Sequence, residues 1–105
     1  MGSYRARLDI IADILNVASR SAKKTQIMYQ ANLSYKVLQR YLSEIVNAQL
    51  VSFEDETQLF QLTDKGRDFL DAYQKYSKTH RHVEKRLDEI ASKKKALENL
   101  CIGDS

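Results

Sequence analysis

Proline is absent from the 105-residue chain, so no imino acid limits the length of a helix whose side chains favour one. A single cysteine, Cys101, excludes an internal disulfide. No apolar run approaches the length of a membrane span, and the start of the chain lacks a basic-then-apolar leader. The opening Met1-Gly2-Ser3-Tyr4-Arg5-Ala6 also lacks the Ser or Thr that N-myristoylation expects at its sixth position. These absences predict a cytoplasmic protein with no membrane partner. A glycine-rich phosphate loop, a recognisable carboxylate pair and a Ser-His-Asp arrangement are missing too, so catalysis is not expected and no small-molecule substrate is implied. His80 and His82 stand two apart, on different faces of any helix, and make a poor metal pair. No metal and no cofactor is expected.

Net charge is small, +3, but unevenly placed. Residues 1–50 hold seven bases and three acids, residues 51–62 hold Glu54, Asp55 and Glu56 with no base, and the remainder holds ten bases against eight acids. The positive field therefore lies on the N-terminal half, where an anionic partner would be drawn.

What the chain has in quantity is a stripe. Phe69, Tyr73, Tyr76, His80, Val83, Leu87, Ile90, Lys94, Leu97 and Cys101 recur at alternating spacings of four and three. That is a heptad seam, and it predicts a left-handed two-stranded coil. Intramolecular packing can account for Phe69, Leu70 and Tyr73, but beyond Tyr76 no chain remains to cover the stripe. A second copy is implied. With Tyr73, His80, Leu87, Lys94 and Cys101 at position a, a parallel pair would stack Lys94 on the partner's Lys94 and His80 on the partner's His80. An antiparallel pair centred near Lys85 instead sets Phe69 against the partner's Cys101 and Tyr73 against the partner's Leu97. Flanking charges do not choose, because the same centre brings Glu84 near the partner's Glu84 and Arg86 near the partner's Arg86. Cys101 in this setting reads as a small core residue.

The stretch before the seam, residues 1–62, is close to the size at which a lone core is marginal, and dimerisation is the remedy. Leu8, Ile11, Leu15 and Ala18, with Ile10 and Ile14, predict a first helix from about Arg5 to Ser19, with Arg7, Asp9, Asp13 and Asn16 outward. Thr25 is a candidate N-cap for a short second helix through Ala31 that buries Ile27 and either Met28 or Tyr29. After the turn at Asn32-Leu33, Ser34 caps a third helix to about Ala48 with Leu38, Leu42 and Ile45 inward. Two helices so joined form a helix-turn-helix pattern. Leu50–Phe53 and Gln58–Leu62 alternate around Glu54-Asp55-Glu56-Thr57 and read as a hairpin, the wing. Thr63 caps a last helix, residues 63–102, which at 1.5 Å per residue spans about 55 Å to Leu100. Residues 103–105 are a tail.

The solvent face of the third helix carries Tyr35, Lys36, Gln39, Arg40 and Ser43, the position from which a helix reads a major groove. Lys23, Lys24 and the backbone amides after Thr25 are placed to hold a phosphate. Taken alone, Lys36, Gln39 and Arg40 are what any solvated helix face carries. The helix-turn-helix, the hairpin and the positive charge of the same half turn the reading toward double-stranded DNA. The acidic wing tip would repel phosphates, so the wing is expected to stay off the backbone or to touch it through Thr57 and Gln58 alone.

The run Lys24-Thr25-Gln26-Ile27-Met28-Tyr29-Gln30-Ala31-Asn32-Leu33-Ser34-Tyr35, with Leu62-Thr63-Asp64-Lys65-Gly66 after the hairpin, resembles the archaeal "ten-a" chromatin-associated proteins, small winged-helix dimers first known from Sulfolobus. The likeness runs from Leu8 into the coil. Its Ile-Met-Tyr-x-Ala-Asn-Leu-Ser-Tyr core is the specific part, whereas Leu-Thr-x-x-Gly is common to many winged helices. The resemblance implies a winged-helix domain at each end of an antiparallel coil, association with the nucleoid, and weakly selective binding to duplex DNA. By position, Ser34 to Ala48 is the groove-facing helix and the dimerising helix begins at Thr63.

The expected protein is mainly α with a β wing: a winged helix-turn-helix followed by a long coiled-coil helix, forming a homodimer that bridges or stiffens DNA. Two rivals use the same sequence. One is a sequence-specific transcription regulator with Gln39 and Arg40 as base readers; the other is a protein-interaction adaptor in which the charge is incidental.

Overall fold

A computed structural model describes residues 5–102; the expected tail at 103–105 and the first four residues lie outside the described residues. The elements follow in the order α1 (Arg7–Ala18), α2 (Lys24–Gln30), α3 (Tyr35–Asn47), β1 (Val51–Glu54), β2 (Leu59–Leu62) and α4 (Asp64–Ile102). They divide into two units, the first ending at Tyr73 and the second beginning at Gln74.

The first unit is built on apolar stripes from three short helices. Ile14 and Leu15 of α1, Ile27 of α2, and Leu38 and Ile45 of α3 are fully buried at its centre, each worth about 1.5–3 kcal/mol against exposure. Of the alternatives in α2, Met28 packs partly against this core while Tyr29 stays in solvent. Tyr41 of α3 is buried as well.

Helix ends are set by local chemistry where the sequence supplies it. Ser34 Oγ accepts the Val37 amide at 3.2 Å and starts α3. Both α2 and α3 end in a left-handed residue, Asn32 (φ 55°) and Gln49 (φ 64°). In each case its own amide and the next fold back onto the last turn, as with Gln49 N–H to the Val46 carbonyl and Leu50 N–H to the Ile45 carbonyl, both 2.9 Å. Thr63 Oγ1 accepts the Gly66 amide at 2.9 Å at the start of α4, while its own proton lies within reach of the Gln49 and Leu50 carbonyls.

The expected cap at Thr25 is not one. Helix α2 begins at Lys24 with Lys23 as N-cap and no side-chain bond to the cap, so Thr25 lies within the first turn. Its start is fixed by tertiary pairing. Ala22, just before it, exchanges two backbone hydrogen bonds with Phe60: Ala22 N–H to the Phe60 carbonyl at 3.1 Å, and Phe60 N–H to the Ala22 carbonyl at 2.8 Å. The hairpin thus gains a third, one-residue rung beyond β1 and β2, which pair antiparallel from Val51↔Leu62 to Glu54↔Leu59.

The first turns of α4 close the same core. Leu70 is buried, and Phe69 and Tyr73 pack partly against it with their rings stacked at 6.4 Å. The Tyr73 hydroxyl donates to the Asp9 carboxylate, which also accepts the Ala6 amide. Asp13 takes the Arg5 guanidinium at 2.9 Å. Two acids expected to be plainly outward on α1 are therefore engaged. In the second unit, residues 74–102, no described residue is buried, and Val83, Leu87, Ile90 and Leu97 hold at least half their surface in solvent.

Candidate nucleic-acid interface

Helix α3 buries Leu38, Tyr41, Leu42 and Ile45 on one side. The helical period then sends Tyr35, Lys36, Gln39, Arg40 and Ser43 to the other, where the five line one shallow, open depression. All five are exposed. The Arg40 guanidinium lies 5.3 Å from the centre of the Tyr41 ring, which steadies a long side chain without neutralising it. Ser34 stands at the N-terminal rim, but its oxygen already accepts the Val37 amide.

Lys24 joins this face from α2. Its ammonium is 3.2 Å from the Tyr35 hydroxyl and 4.5 Å from the ring centre, a cation held against an exposed aromatic. Lys23 and Thr25 sit one residue to either side and line a second hollow with Phe53, Gln58 and Phe60. Because α2 starts at Lys24, the amides without an intrahelical acceptor are those of Lys24, Thr25 and Gln26, with Ile27 N–H already bonded to the Lys23 carbonyl. The expected position of these amides moves by two residues, and the two lysines remain beside them.

The wing tip behaves differently. Thr57 Oγ1 donates to the Glu54 carboxylate at 2.9 Å, and Gln58 Nε2 donates to the Asp55 carbonyl at 2.7 Å. The two polar side chains that would have reached a backbone are folded onto the turn itself, leaving three carboxylates at its end. A residue the sequence did not single out, Phe53, stands in the hollow between wing and α3. Its signal lies in the strand register, which sets it opposite Phe60.

Of the ten seam residues, Phe69 and Tyr73 belong to the first unit and are half-buried there. Tyr76, His80, Val83, Leu87, Ile90, Lys94, Leu97 and Cys101 are exposed along α4. His80 Nδ1 lies 3.5 Å from Glu84 Oε1 one turn on, and its ring meets Tyr76 at 5.8 Å. Among the described residues there is no group of three or more His, Cys, Asp or Glu placed to hold a metal ion, and no helix long and apolar enough to cross a membrane.

Comparison with known proteins bears on the fold. The chain is similar to the crystal structure of Sso10a-2, described as a DNA-binding protein from Sulfolobus solfataricus, with a TM-score of 0.79 and 21% identity over 84% of this chain and 95% of that one. At that identity the likeness is one of fold, and the ten-a resemblance drawn from the sequence holds at that level. No curated protein matches. The sequence pattern of the winged helix-turn-helix family matches residues 4–81, most of the chain. With its helix-turn-helix, two-stranded wing and succeeding helix, the chain belongs to the winged helix-turn-helix family.

Proposed function

We propose that the protein is a homodimeric, nucleoid-associated DNA-binding protein of architectural type, binding duplex DNA with little preference among sequences. The observation that carries this reading is the shared open face of Tyr35, Lys36, Gln39, Arg40 and Ser43 on α3, with Lys24 against its edge. Lys36 and Arg40 on that face, Lys24 at its edge and Lys23 next to it in the chain make four cations, and cations meet phosphates whatever the base sequence. The exposed stripe on α4 supports the dimer, since an apolar row of this length on a free helix would otherwise stay wet. Two heads on one dimer can engage two duplex segments, or two stretches of one.

A gel-shift titration with unrelated duplexes at two salt concentrations, run beside a solution mass, tests the whole reading. Four phosphate contacts per head give a slope of log K against log salt of about −3.6 for each head, at about −0.9 per contact. Similar affinities across duplexes are expected, with Arg40→Ala weakening all of them alike. One operator bound far more tightly than bulk DNA at physiological salt would favour the sequence-specific regulator. Absence of DNA retention at low salt, unchanged by Lys36→Ala, would favour the adaptor.

A further inference from the structure

Phe53 has no role in duplex binding as described, yet it is a ring left open beside the lysines. Alternation along β1 puts Val51 and Phe53 on one side of the strand. Val51 is buried, whereas Phe53, one step further out, is 41% exposed. It leans on Phe60, its partner across the hairpin, with ring centres 4.7 Å apart and planes tilted by 45°. The two rings line adjoining hollows that also share Lys24. Gln39 and Ser43 of α3 form one wall, and Lys23 joins Lys24 on the other. Lys24 also touches Tyr35, which is 60% exposed. The surface therefore runs ring, lysine, ring.

Both hollows are open to solvent rather than enclosed. A small molecule lodged there would stay largely wet, unlike the ligands of enclosed pockets, which lose about 70–90% of their surface to the protein. A polymer laid across the cleft has no such need. We propose that the cleft binds unpaired bases of a single DNA strand, one base stacking on Phe53 and a neighbour on Tyr35, with Lys23 and Lys24 on the intervening phosphates. The three carboxylates at the wing tip turn the strand's backbone toward the lysines. In a duplex the faces of the bases are covered by their neighbours, so these rings add stacking only where a strand is unpaired. Loss of one stacked base corresponds to roughly 5- to 150-fold in affinity.

The inference rests on the reading that this face takes nucleic acid, and the test separates the two. Fluorescence anisotropy on the full chain would compare a thymidine strand of about 15 nucleotides, an abasic strand of equal length, and a duplex of that length at fixed salt. Phe53→Leu keeps an apolar side chain on Phe60 but removes the ring, so folding is preserved. Expected is a loss of about fivefold or more on the thymidine strand with the duplex changed by less than about twofold, and an abasic strand, which loses the stack on Tyr35 as well, that binds the unaltered protein at least as weakly as thymidine binds the variant. Equal losses on strand and duplex, or an abasic strand bound as well as thymidine, would overturn it. Duplex bound but no strand bound sinks this inference alone; neither bound sinks the nucleic-acid reading with it.

Discussion

Leu38 and Leu87 are the same residue at the same helical spacing, and they meet opposite surroundings. Leu38 is fully buried among side chains of its own unit; Leu87 is 58% exposed on α4. In the first unit each apolar stripe finds another element of the chain, and a tyrosine as far along α4 as Tyr73 still has core to touch. In the second the stripe continues, and no described residue is buried. A hydrophobic period specifies a face to be covered. What covers it depends on how much polypeptide lies within reach.

Substitutions can break this contrast. Leu38→Ala should cost about 2–5 kcal/mol in urea melts, because nothing near so central a site can collapse into the gap. The loss should not depend on protein concentration. Leu87→Ala should leave that core intact and weaken self-association by about 1.5–3 kcal/mol per chain, read as a shift of the monomer–dimer balance in sedimentation. If mass and concentration dependence do not change, the α4 stripe is only a solvated face.

Gly66→Ala sharpens the boundary between the two kinds of helix. On α4 further along, alanine for glycine would gain about 1 kcal/mol in helix propensity. At Gly66 an added Cβ would lie 2.1 Å from the Leu50 carbonyl oxygen and 2.6 Å from Leu62 Cδ1. Leu62 can swing aside, but the Leu50 oxygen is backbone that also accepts the Thr63 amide at 3.1 Å. The clash should win, for a net loss of about 1–2 kcal/mol in thermal melts. The smallest effect expected is a gain. Gln49→Gly relieves a left-handed residue at φ 64° and should stabilise the first unit by about 0.5–1 kcal/mol in the same assay.

The fold was legible wherever a short-range rule acts. Ser34 and Thr63 announced their helices because each hydroxyl accepts an amide within its own first turn. The hairpin was legible from alternation around an acidic turn. Thr25 misled because the start of α2 is dictated by a segment nearly forty residues downstream, through the backbone pairing of Ala22 with Phe60. Phe53 was hidden for a related reason. Alternation gives its side of the strand, but only the pairing register shows that it meets Phe60 beside Lys24. The exposed face of α3 was legible in full, since one helix carries all of it.

That backbone rung has a mechanical meaning. Lys23 and Lys24 follow Ala22 directly, and Ala22 is fastened to the second hairpin strand by a bond in each direction. The wing therefore serves as a splint for the lysines, whatever its acidic tip does. Residues inserted between Asp55 and Thr57 would lengthen a loop and leave the splint in place, whereas a slip of one residue in the strand pairing would carry both cations out of line.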